Sequence, residues 1–191
     1  MHRRRFFHVA GLGAATLLVA CGEENKGQGP IAGEKAQESA PEPAESDVAD
    51  VNVLNSALDL EHQAVAAYTA AMKVLRGENL RAARTLRDQE RAHVQALSRA
   101  IQRLGGRPNQ AQRDYRFPRL RTEDEVLRFA IRLENTAISA YIDALPQLNS
   151  ADLRAEGAAI VANEAQHLAV LNGALRERAA PTAFVTGEAA R

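Results

Sequence analysis

The 191-residue chain has one cysteine, no tryptophan and only 4% aromatic residues. A single cysteine excludes a disulfide within the chain. The scarcity of aromatics, set against much Ala, Leu, Glu and Arg, favours helices over a β-sandwich. Charge of either sign is also missing in excess, since Lys+Arg and Asp+Glu both number 24, so no basic surface for nucleic acid is indicated. The one N-terminal apolar run, Val9 to Ala20, is shorter than the about 20 residues that a membrane-spanning helix needs. A chain of this length fits one domain with appendages, or at most two very small domains.

The first residues read as an address rather than as fold. Arg3-Arg4-Arg5 is a basic start, the short apolar run follows, and Leu18-Val19-Ala20-Cys21 closes it. That tetrad resembles the bacterial lipobox, which implies a signal peptide over 1–20 and an acylated Cys21 as the mature N-terminus. Arg3-Arg4-Arg5-Phe6-Phe7 also resembles a twin-arginine export signal, although His2 and His8 stand where that motif has Ser/Thr and Lys. An Arg-rich Sec signal is the alternative. Removal of 1–20 takes away three arginines, so the mature chain carries 21 − 24 = −3. An exported lipoprotein at the cell envelope is the expectation, facing the periplasm or the outside.

Residues 21–46 are rich in Glu, Gly, Pro, Ser, Gln and Ala. Such a stretch buries too little apolar surface to offset chain entropy, and a disordered tether is expected. Beyond it, over 47–178, apolar residues recur at intervals of three and four. The first helix reads Val51, Leu54, Leu58, Glu61, Val65, Tyr68, Met72 and Leu75 along one seam. Asn79 is the expected cap of a second helix with Leu80, Ala83, Leu86, Glu90, His93, Leu97, Ile101 and Leu104 inside; Gly105-Gly106 and Pro108 stop it. A connection of roughly 16 residues follows, longer than antiparallel neighbours need. Thr122 and Glu125 have capping-box spacing. The third helix carries Leu127, Ile131, Glu134, Ile138, Tyr141 and Leu145 and ends at Pro146. Ser150 with Asp152 opens the fourth, with Leu153, Gly157, Ile160, Glu164, His167, Leu171 and Leu175 inside. Residues 179–191 form a tail, either a strap across the bundle or a frayed end.

The two hairpins repeat each other. A shift of 73 lays Glu61 on Glu134 and Tyr68 on Tyr141; a shift of 74 lays Glu90 on Glu164 and His93 on His167. The expected fold is all-α, an antiparallel four-helix bundle with a long crossover between helices 2 and 3. Glu and His three residues apart lie about 60° apart around a helix, so both reach one point in the core. Two Glu-x-x-His pairs and two single glutamates make the ligand set of carboxylate-bridged di-iron and di-manganese bundles. Four carboxylates and two divalent ions sum to zero charge, which permits burial. Taken singly, each of these residues has a bland reading as a solvated Glu or a core His. Tyr68 and Tyr141 either fill the core as aromatics or donate hydrogen bonds that orient ligand carboxylates; a radical or electron-donor use is a third reading. His62 points off the core face, and Gln89, Gln95 and Asn163 read as flanking surface.

With Glu61, Glu90-x-x-His93, Glu134 and Glu164-x-x-His167 on these four helices, the chain resembles the ferritin-like superfamily, in particular bacterial exported ferritin-like proteins grouped with desiccation-related proteins. The resemblance implies Glu90 and Glu164 as bridging ligands, Glu61 and Glu134 as terminal ones, and one histidine per metal. It implies two iron ions, with manganese or zinc as alternatives. There is no cysteine-rich iron domain of the rubrerythrin kind, no methionine on the second helix to bind haem as in bacterioferritins, and no fifth helix as in cage ferritins. A mineral-storing cage is disfavoured. The activity implied is that of a ferroxidase or an oxidoreductase reacting with O₂ or peroxide. Non-catalytic metal sequestration and a stress-related structural bundle with a vestigial site are the alternatives. The partners implied are metal ions, O₂ or peroxide and the membrane through the N-terminal lipid, with a homodimer left open.

Overall fold

The computed structural model describes residues 44–187; the expected signal peptide, Cys21 and nearly all of the tether lie outside the described residues. Among the described residues no helix is long and apolar enough to cross a membrane. The chain forms α1 (Glu45–Ala71), α2 (Gly77–Arg103), α3 (Glu123–Ala144), a short 3₁₀ turn (Leu145–Gln147) and α4 (Ala151–Ala174).

The helices pair α1 with α2 and α3 with α4, and the two hairpins meet through α1 on α3 and α2 on α4. Contacts across these seams run in opposite sequence directions. Tyr68 meets Glu134 while Tyr141 meets Glu61; Gln89 meets His167 while Arg103 meets Glu156. Neighbouring helices are therefore antiparallel, and α2 and α3 run parallel. That geometry requires a connection spanning the bundle's length, which residues 104–122 provide.

Each end of the crossover has a local cause. Gly105 adopts φ +74°, its N–H reaching Gln102 O at 3.0 Å while Gly106 N–H reaches Ile101 O at 2.9 Å. This closes the last turn of α2 and turns the chain aside. Asn109 then bonds Asn55 and Asp59 on α1, and His62 meets Asn109 O at 3.2 Å. His62 thus faces the crossover rather than the core. Further on, Phe117 packs edge-on against Phe129 of α3 with centroids 5.9 Å apart. Thr122 Oγ1 accepts from Glu125 N–H, and the Glu125 carboxylate accepts from Thr122 N–H, the reciprocal cap the spacing predicts.

Two helix ends differ from the sequence expectation, and a buried aspartate adds a tie that the spacing does not indicate. Asn79 is not a cap: Arg76 holds that place, Gly77 turns with φ +51°, and Asn79 donates to Glu123 at the start of α3. The fourth helix ends at Ala174, short of the expected Arg178, because Arg176 takes φ 59° and the N–H groups of Arg176 and Glu177 fold back onto Gly173 O and Asn172 O. Asp50 is buried at 2% exposure. Its carboxylate accepts from Asn149 N–H at 2.8 Å and Ser150 N–H at 3.4 Å, binding α1 to the start of α4 and satisfying N–H groups that have no helical partner. Of the two readings of the tail, the contacts favour the strap. A methyl group on Gly187 would lie 2.5 Å from Asn135 O, so the tail returns to α3.

The core is divided along its length. One apolar cluster holds Leu54, Leu58, Leu97, Ile101, Leu153 and Ile160, with Tyr141 at its inner edge. The other holds Leu75, Leu86, Val126, Leu127 and Leu171, with Tyr68 at its inner edge. On every helix the Glu or Glu-x-x-His lies between residues of the two clusters. Each fully buried Leu or Ile contributes about 1.5–3 kcal/mol, and this gain on both sides offsets the cost of a polar layer in the middle.

Candidate metal centre

All six Glu and His predicted as ligands meet in that layer. Glu61, Glu90, Glu134, Glu164 and His167 are at most 1% exposed and His93 is 9% exposed. The periodicity that put an acid where each seam calls for Leu or Ile is the local cause.

The donor atoms fall into two overlapping sets. Glu61, Glu90, His93 and Glu164 each offer an atom, all within 4.8 Å of one another; so do Glu90, Glu134, Glu164 and His167. Glu90 and Glu164 belong to both. His93 Nδ1 lies 3.0 Å from Glu164, 3.3 Å from Glu90 and 3.4 Å from Glu61. His167 Nδ1 lies 3.0 Å from Glu164, 3.1 Å from Glu90 and 3.4 Å from Glu134. Ligands about 2.1 Å from one ion and at right angles around it stand about 3 Å apart. Glu90 Oε1, both oxygens of Glu164 and His167 Nδ1 are buried and make no well-aligned hydrogen bond, although the ring nitrogens stand 3.0–3.1 Å from these oxygens. Buried polar atoms are ordinarily paired. These four converge on common points instead, and the donor set of carboxylates and imidazoles fits hard to intermediate divalent ions.

The two tyrosines bind across the bundle rather than along their own helices. Tyr68 on α1 donates to Glu134 on α3, and Tyr141 on α3 donates to Glu61 on α1. Burial first, and the adjoining carboxylates next, push both phenols well above their ordinary range, which keeps them as donors. Each bond holds one oxygen of a single-helix glutamate: in Glu61 the other oxygen, Oε2, faces His93, and in Glu134 the held oxygen, Oε1, itself faces His167.

Without ions, protons settle the charge. Burial, opposed by His93 and reinforced by Glu90 and Glu164, pushes Glu61 up to about 8. Burial likewise carries Glu134 well above the carboxylate range despite His167. For Glu90 and Glu164 burial alone would act upward, but the two histidines outweigh it and hold both below the ordinary value. Burial alone would lower the histidines; the facing carboxylates instead push His93 up to about 12 and His167 up to about 11. The directions favour protons on Glu61, Glu134, His93 and His167 and leave Glu90 and Glu164 as the carboxylates that face the two imidazolium charges.

Gln89 was not legible as part of this site. It is half-buried, and its Oε1 lies 2.9 Å from His167 Nε2, so it is a partner of a site histidine and not flanking surface. The available signal was the repeat, which lays Gln89 on Asn163, each immediately before a Glu-x-x-His. Gln95 is exposed, as expected.

Comparison with known proteins agrees with this architecture. Residues 49–177 match the family model of the Ferritin-like domain, and the chain belongs to that family. Among solved structures it is similar to ferritin-like, diiron-carboxylate proteins from Bacillus anthracis, at 22% identity and a TM-score of 0.60 over 69% of this chain and 99% of that one. It is also similar to a conserved hypothetical protein from Mycobacterium tuberculosis, at 20% identity and a TM-score of 0.63 over 66% of this chain and 97% of that one. At these identities the likeness is one of fold, a ferritin-like four-helix bundle. No curated protein sequence matches the chain.

The proton arrangement gives the metal-free protein a signed pH dependence. The raised Glu61 contributes stability that is complete below its unfolded value of about 4.5 and is lost as pH rises through about 8. The raised histidines add a loss that begins above about 6.5 and is complete only near 11–12. The lowered Glu90 and Glu164 lose their contribution only in acid. The melting temperature of chelator-treated protein is expected to fall between about pH 5 and pH 9. A rise over that range, followed by circular dichroism, contradicts the assignment.

Proposed function

We propose that this chain is an exported, lipid-anchored protein whose bundle binds two metal ions, with iron the first choice, and uses them to oxidise Fe(II) or to consume O₂ or peroxide at the cell envelope. The observation that carries the metal part is the pair of donor sets sharing Glu90 and Glu164. Glu61 and His93 would complete the protein ligands of one ion and Glu134 and His167 those of the other, with Glu90 and Glu164 within reach of both. The similarity to the diiron-carboxylate proteins of Bacillus anthracis supports iron as the metal to test first.

Bound iron supplies one-electron chemistry toward oxygen species, which amino-acid side chains do not. The remaining tasks belong to the chain. Tyr68 and Tyr141 hold Glu134 and Glu61 in place, the two apolar clusters keep bulk water from the layer, and Glu61, Glu134 and the histidines would hold the ions only after giving up their protons.

The envelope location is supported by the order of Arg3-Arg4-Arg5, the short apolar run, Leu18-Val19-Ala20-Cys21 and a tract poor in apolar residues. A metal-loaded bundle suits an export route that carries folded proteins, in keeping with the Arg-rich start.

Iron loading tests the reaction. Anaerobic addition of Fe(II) followed by air is expected to give stoichiometric uptake and ferric absorption in the near-ultraviolet, both lost in Glu90→Ala and Glu164→Ala. Uptake indifferent to these substitutions overturns the ligand reading, and tight binding without oxidant consumption identifies sequestration instead. Anchoring is tested separately. Cys21→Ala should release the protein from the membrane fraction and abolish acyl labelling, and unchanged fractionation counts against the lipid anchor.

A further inference from the structure

The repeat that superposes the ligands breaks beside them. The shift of 74 that carries Glu90 onto Glu164 carries Gln89 onto Asn163, a side chain one methylene shorter. Gln89 reaches across from α2 to α4, and its Oε1 accepts from His167 Nε2–H at 2.9 Å. His167 Nδ1 faces three carboxylates, and this bond fixes the ring and keeps the proton on Nε2, so that an ion replacing the Nδ1 proton would meet the Nδ1 lone pair. Gln89 and His167 both line a groove of about 270 Å³ with Thr85, Gln166 and Val170.

The other half of the site has no such support. Asn163 is half-buried and its side chain makes no hydrogen bond among the described residues, and His93 has a protein partner only at Nδ1. His93 is 9% exposed where His167 is 0% exposed. The ligands proper are matched, Glu for Glu and His for His, so the buttress is the difference between the halves.

We infer that Gln89 makes the two metal positions unequal: the position of His167 and Glu134 binds its ion more tightly, and that of His93 and Glu61 is the weaker, exchanging one. This rests on the reading of the six residues as ligands. A ring already held in its binding orientation loses little freedom when an ion arrives, whereas an unsupported, partly hydrated ring loses more. Removing the hydrogen-bond partner of a ligating histidine costs about 10–100-fold in metal affinity. Gln89 is thus a positioning residue, and its substitution should move one position and spare the other.

Anaerobic titration of the full chain with Co²⁺, followed by calorimetry and visible absorption, tests this. The wild type is expected to bind two ions in two resolved steps. Gln89→Ala should weaken the tighter step about 10–100-fold and leave the weaker one in place. Asn163→Gln restores the missing reach and should tighten the weaker step, drawing the two together. The second variant adds a contact, so general loss of structure does not mimic its effect, and it decides alone if Gln89→Ala does not fold. Equal affinities in the wild type, or two steps that neither variant moves, overturn the inference while leaving the six ligands standing. No cobalt bound by the wild type overturns the ligand reading itself, and this inference with it.

Discussion

Four carboxylates share one layer of a protein core, and the rest of the structure is arranged around the cost of keeping them there. An unpaired buried carboxylate is expelled, protonated or matched by positive charge. Here the apolar clusters of Leu, Ile and Ala on both sides hold the layer in place, while the histidines and shared protons supply the match. The tyrosines belong to both parts. Their rings pack in the clusters and their hydroxyls face the acids, so each joins the apolar region to the charged one across the α1–α3 seam.

The same arithmetic holds with ions and without them. Protons on Glu61, Glu134, His93 and His167 give the six groups a net charge of zero. Two divalent ions facing four carboxylates and two neutral imidazoles also give zero. On the proposed two-ion reading, loading would exchange protons for metal inside a layer whose total charge stays constant. That balance lets so acidic a centre form in the metal-free bundle. It also makes metal affinity rise with pH, the opposite sign to the stability of the metal-free chain.

Much of this was legible in the sequence because helical periodicity is a local signal. Glu61, Glu90, Glu134 and Glu164 stand where the seams call for Leu or Ile, and the offset of 73 or 74 gives all four the same setting. Thr122 with Glu125, Pro146 and Gly105-Gly106 marked ends for similar local reasons. What escaped depends on distance along the chain. Asp50 looks like any polar residue near a helix start until α4 begins beside it. Asn79 has the composition of a cap but serves as a tie to Glu123. Gln89 differs from an exposed glutamine only through a histidine on another helix, and the partners of Tyr68 and Tyr141 required knowing that α1 and α3 are antiparallel.

If protons are exchanged for two ions in one closed layer, both can be counted at once. Metal loading measured by calorimetry in buffers of different ionisation enthalpy, beside metal analysis of the product, gives the two numbers. Two ions per chain and, near neutral pH, about four protons released as they bind are expected. Saturation at a single ion, or two ions bound with almost no proton release, would contradict that exchange.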